Sequence, residues 1–131
     1  MSDERSAAWL TEDELRVLPR QGTRFDVDKV AAHVAGLGFS FRDATMPAMF
    51  VVAATAAQRE RLQAARVAHP EAGFPHVLLI EVSETEIGVA PAEGDGLETL
   101  TVAFLDWLIA EYDCRVISEL GADLTDGQAA G

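Results

Sequence analysis

Basic residues are almost missing from the final fifty-one positions of this 131-residue chain. Residues 81–131 hold Arg115 alone against twelve carboxylates, whereas residues 1–80 hold nine bases against ten acids. Nucleic acids and anionic lipid surfaces are bound through Lys and Arg, so this shortage argues against both as partners. Lysine occurs once, at Lys29, and arginine supplies the rest of the positive charge. Cysteine also occurs once, at Cys114, which excludes an internal disulfide and any need for an oxidising compartment. No run nears the roughly 18 uninterrupted apolar residues of a membrane span. The first residues, Met1-Ser2-Asp3-Glu4-Arg5, lack the basic start and apolar stretch of a signal peptide. A cytoplasmic protein without a membrane partner is the resulting expectation.

Two catalytic signatures are missing as well. No serine lies in a G-x-S-x-G context, and Gly94-Asp95-Gly96 lacks the flanking pattern and lysine of a phosphate loop.

What remains is a globular composition, 49% hydrophobic and 24% charged, with a net charge of −12. The length suits one domain over 1–131. Its ends, 1–10 and 121–131, read as loosely ordered. Thr11 and Glu14 spell a capping box, predicting a short helix to about Leu18 that stops at Pro19. Asp26 can cap a second helix whose stripe is Val27, Val30, Ala31 and Val34. A short strand is predicted near 39–42.

The stretch Met49 to Ala54 reads as a central strand, followed by a helix capped by Thr55 and Gln58 and ending before Pro70. Strands are predicted over 76–82, 86–90 and 114–119. Between the last two, Leu97, Leu100, Thr101, Phe104, Leu105, Leu108 and Tyr112 share one helical face. The order from about 49 to 119 is β-α-β-β-α-β. An α+β two-layer sandwich with a ferredoxin-like core follows, carrying N-terminal helical additions and an extra strand. Strands 49–54 and 86–90 would lie in the middle, and 76–82 and 114–119 outside.

Candidate chemistry is thin. His69, Glu71 and His76 could contribute to a metal site, yet their spacing fits no zinc pattern, and a helix-to-strand connector explains them as well. No metal or other cofactor is expected. Glu81, Glu84 and Glu86 crowd one hairpin. The turn offers no burial to separate their pKa values, so the wet side of an edge hairpin is the plainer reading. Cys114 next to Arg115 reads as a core thiol, because neighbours on a strand face opposite ways. Arg59, Arg61 and Arg66 share a helix that Glu60 interrupts. Trp107 is either a contact anchor or packed on the chain's own N-terminal helix.

The sequence therefore favours a non-enzymatic inhibitor, immunity or adaptor-like protein. Its acidic C-terminal half would dock a basic protein through Glu81, Glu84, Glu86, Glu98, Asp106, Trp107 and Glu111. The alternative is a ferredoxin-like regulatory domain that binds a small molecule as a homodimer.

Overall fold

The chain enters its sheet earlier than the sequence pattern predicts. The computed structural model describes residues 8–43, 46, 48–69, 77–92 and 94–125. In it Leu15–Pro19 is a strand, β1, and not a helix. Leu15 and Val17 are buried while Arg16 between them is exposed, the two-residue alternation of a strand. Thr11 Oγ1 donates to Ala8 O and closes a helical turn at 8–10, so it does not cap a helix ahead of it. Local capping chemistry lost to the burial of two apolar side chains between neighbouring strands.

The remaining elements are helix α1 (Val27–Ala35), β2 (Phe39–Arg42), β3 (Met49–Ala53), helix α2 (Ala56–Ala68), β4 (Leu78–Val82), β5 (Ile87–Ala90), helix α3 (Leu97–Tyr112) and β6 (Cys114–Ser118). Asp26 caps α1, its carboxylate accepting from Lys29 N at 3.1 Å. Thr55 caps α2 by accepting from Gln58 N at 3.1 Å, while the Gln58 amide oxygen accepts from Ala54 N at 2.7 Å. Helix α3 starts from Gly96, with Asp95 in a left-handed conformation before it.

Six strands form one sheet in the order β2-β3-β4-β5-β1-β6, every neighbouring pair antiparallel. The α+β class holds, but the ferredoxin-like order does not. That order would place β3 beside β5 with β4 outside. Instead β4 lies between them, and the flank of β5 is taken by β1. Strands β5 and β6 consequently run parallel with β1 between them, joined through α3. The β4–β5 hairpin is internal to the sheet, not at its edge.

One sheet face carries the core. Leu15, Val17, Phe50, Val52, Leu78, Ile80, Ile87, Val89 and Val116 pack with Val30 and Val34 of α1 and with Leu97, Phe104, Leu105 and Leu108 of α3. Gly38 is required at the entry to β2. Its φ is +45°, and a Cβ there would lie 2.8 Å from Leu100 Cδ1 and 3.1 Å from Ala53 O.

Helix α2 lies on the opposite face near β2 and β3, where the Arg59 guanidinium sits over the Phe39 ring. None of its residues is buried. Its C-terminal end is tied down by Arg66, which donates to both carboxylate oxygens of Asp43 at 2.6 and 3.3 Å. Asp43 is 1% exposed.

The segments flanking the fold are docked where they are described. Trp9 is fully buried, and its indole N–H donates to Leu124 O at 2.8 Å. Residues 8–10 and 121–125 are thus part of the packing; the rest of the ends read as loosely ordered, 1–7 and 126–131, lies outside the described residues. No helix among the described residues is long and apolar enough to cross a membrane.

Because α2 has no buried apolar anchor of its own, the Asp43–Arg66 pair should decide whether it stays seated. Asp43→Ala removes the carboxylate that Arg66, 14% exposed, donates to, and should lower unfolding free energy by about 3 kcal/mol in urea titrations. Adding Arg66→Met should recover part of that loss. An unchanged midpoint in the single variant would show that α2 is held by other contacts.

Candidate functional site

The sheet face away from the core is only partly covered among the described residues. Cross-strand register sets two rows side by side. Leu79 faces Ala90 on one flank and Val51 on the other; in the next row Arg16, Gly88, Glu81 and Met49 stand in line. Glu14 precedes β1 at the Ala90 end. Between these rows lies a shallow notch of about 50 Å³, lined chiefly by Glu14, Met49, Leu79, Glu81, Gly88 and Ala90.

Gly88 keeps the notch open. Its φ is not positive, and an added Cβ would meet only Glu81 Cβ at 3.8 Å, an ordinary contact. Glycine inside a strand weakens it, and marks places where something else comes close. The fold itself does not demand glycine here, in contrast to Gly38. Glu14 and Glu81 flank the notch, and neither has a basic partner among the described residues.

The other acidic candidates are differently placed. Arg24 pairs with Glu84 at 3.3 Å, Arg16 with Glu86 at 3.6 Å and Lys29 with Glu111 at 2.7 Å. The Glu111 hydrogen bond holds the Lys29 ammonium above its usual pKa. A fourth pair, Arg20 with Asp113 at 3.1 Å, follows the same pattern. In each, a base from the first 29 residues meets an acid from the last fifty-one. Glu98 is engaged locally. Its carboxylate accepts from Gly94 N at 3.0 Å, and backbone N–H groups, its own first, lower its pKa. Asp106 and Trp107 are half-buried on α3.

The seven predicted contact residues therefore do not form one surface. Glu81 lies on the open face, while Glu98, Asp106, Trp107 and Glu111 lie on α3, beyond the sheet. Trp107 stacks on His33 of α1 with ring centroids 3.8 Å apart and planes 4° from parallel. Tyr112 meets Trp107 edge-on at 6.1 Å and Phe25 at 5.2 Å. This aromatic seam joins α1 to α3. Nothing local in the sequence marks this contact, because the two rings of His33 and Trp107 are 74 positions apart.

Of the weak metal candidates, His69 is exposed at the end of α2, and Glu71 and His76 lie outside the described residues. Among the described residues no cluster of His, Cys, Asp or Glu could hold a metal ion. Cys114 is buried; its thiol donates to Leu108 O at 3.4 Å, and burial raises its pKa to about 11. A wider, open hollow is lined by Arg20, Gln21, Asp113, Cys114 and Arg115, but the Arg20 charge there is already answered by Asp113.

No protein-family model matches the chain, nor does any curated protein or solved structure.

Two predictions come from these groups. A thiol with a pKa near 11 is almost wholly protonated at neutral pH, so Cys114 should react with a thiol reagent only after unfolding. Stoichiometric labelling of the native protein within minutes would contradict its placement. Burial lowers the His33 pKa, partly opposed by Glu111. The unfolded chain then binds more protons at this site, so stability should fall as pH drops through about 6.5 and level off once folded His33 is also protonated. His33→Gln should flatten that part of a stability–pH curve; identical curves would exclude the contribution.

Proposed function

We propose that this chain is a small, non-enzymatic protein-binding domain of the inhibitor, immunity or adaptor kind. It receives a basic segment of a partner protein on the open sheet face. The observation that carries this reading is the notch at Gly88, an apolar floor between two carboxylates, Glu14 and Glu81, that have no described basic partner. A lysine or arginine fits such a place in two parts. Its methylene stem lies on Met49, Leu79 and Ala90, and its charged head reaches a carboxylate. Glu84, Glu86 and Glu111 are tied to the chain's own bases and contribute to the longer-range field that steers a cationic partner. Nucleic acid and membrane surfaces do not suit a site flanked by carboxylates. Chemistry is not part of this reading, since Cys114 is held protonated and the hairpin carboxylates Glu84 and Glu86 face arginines. The notch of about 50 Å³ is far below the few hundred Å³ of ordinary small-molecule sites. At this notch, that difference favours a protein contact over a bound small molecule.

The test is a heteronuclear NMR titration with a short peptide alternating lysine and leucine. Shifts should centre on Met49, Leu79, Gly88 and Ala90 and weaken as salt is raised. Gly88→Val fills the notch at a backbone conformation that tolerates a side chain, and should abolish these shifts while the fold persists. Shifts spread over all surface carboxylates, or unaffected by Gly88→Val, would sink the assignment.

A further inference from the structure

The two outer edges of the sheet are finished differently. At the β6 edge the returning chain covers the strand: Leu124 N donates to Val116 O at 2.7 Å, Val116 N to Thr125 Oγ1 at 2.9 Å and Ser118 N to Ala122 O at 2.8 Å. At the β2 edge no described strand pairs. Asp43 N donates to Met49 O, so the inward-facing backbone groups of β2 belong to alternate residues, Phe39 and Phe41. The N–H and C=O groups of Ser40 and Arg42 point outward.

Arginines flank this edge on both faces. Arg42 lies on the core side, its guanidinium 4.8 Å from the Phe50 ring centroid. Arg59 lies on the opposite side, 5.9 Å from the centroid of Phe39, which is itself 39% exposed. Neither arginine has a carboxylate partner among the described residues, and the nearby Asp43 is engaged by Arg66. The molecule is acidic overall, but charges beyond about 8 Å are largely screened at physiological salt. The charges placed beside this edge without an ion-pair partner among the described residues are Arg42 and Arg59.

We infer that the outer edge of β2 accepts an extended segment of a partner protein that alternates acidic and apolar residues. Main-chain bonds to Ser40 and Arg42 add it as a seventh strand. Its apolar side chains lie beside Phe39 and Phe41, and its carboxylates meet Arg42, with Arg59 at the rim. A second copy of this chain is disfavoured at the same edge, because two such edges bring arginines together. This surface is separate from the notch on the sheet face and does not rest on it.

The test uses the full chain and a blocked seven-residue peptide alternating glutamate and valine, with lysine replacing glutamate in a control. Binding should slow amide exchange at Ser40 and Arg42 and weaken with rising salt. Arg42→Glu should reduce affinity about tenfold, since an exposed attraction is lost and a like-charge contact replaces it. Gly88→Val should have no effect, which separates this site from the notch. The proposal is overturned by unchanged exchange at these two amides at about 1 mM peptide, weaker than any ordinary specific contact. Equal binding of the lysine peptide would overturn it too, as would concentration-dependent self-association that protects the same amides.

Discussion

The fold depends on β1 being hydrogen-bonded on both sides. Leu15 stands opposite Val89 of β5 and also opposite Ser118 of β6, and Val17 opposite Ile87 and Val116. Without this strand, β5 and β6 would be parallel neighbours with a gap between them, and α3 would span nothing. With it, an N-terminal segment of five residues is inserted between two strands, β5 and β6, that come from the second half of the chain. Such pairing closes long loops, so its entropy must be offset by burial, here of Leu15 and Val17, both fully buried.

The same long-range closure redistributes charge. The N-terminal third brings Arg16, Arg20, Arg24 and Lys29 against Glu86, Asp113, Glu84 and Glu111. Each pair is exposed and adds little stability, on the order of 0–1 kcal/mol. Their larger effect is on what is left over. The linear contrast between a neutral first part and an acidic last part is softened in three dimensions, since four acids of the last part meet bases of the first. Glu14 and Glu81 stand by the notch, and Arg42 and Arg59 stand by the free edge.

What could be read from the sequence was whatever repeats within a few residues. The stripe from Leu97 to Tyr112, the Asp26 and Thr55 caps and the apolar runs at 49–54 and 76–82 all found their elements, the two strands spanning Met49–Ala53 and Leu78–Val82. The strand at 39–42 did extend the sheet, and Cys114 is a core thiol. What failed was non-local. Five residues beginning at Leu15 carry too short an alternation to outweigh a capping-box pattern, and only the slot between β5 and β6 makes them a strand. Strand order failed with them, since element order alone cannot report that β1 takes the place beside β5. The predicted contact residues were chosen by charge along the chain, and that choice could not anticipate which carboxylates would meet Arg16, Arg24 or Lys29. Gly88 went unnoticed because a strand glycine gains meaning only when its neighbours across the sheet are known.

The indole of Trp9 and the carbonyl of Leu124 put the beginning and the finish of the folded body a single hydrogen bond apart. A folded body whose first and last described segments meet in this way behaves topologically as a nearly closed ring. Joined head to tail by a few residues and cut instead between other elements, it would keep every strand neighbour it now has. For the same reason it could be spliced into a surface loop of another protein with little disturbance to the host.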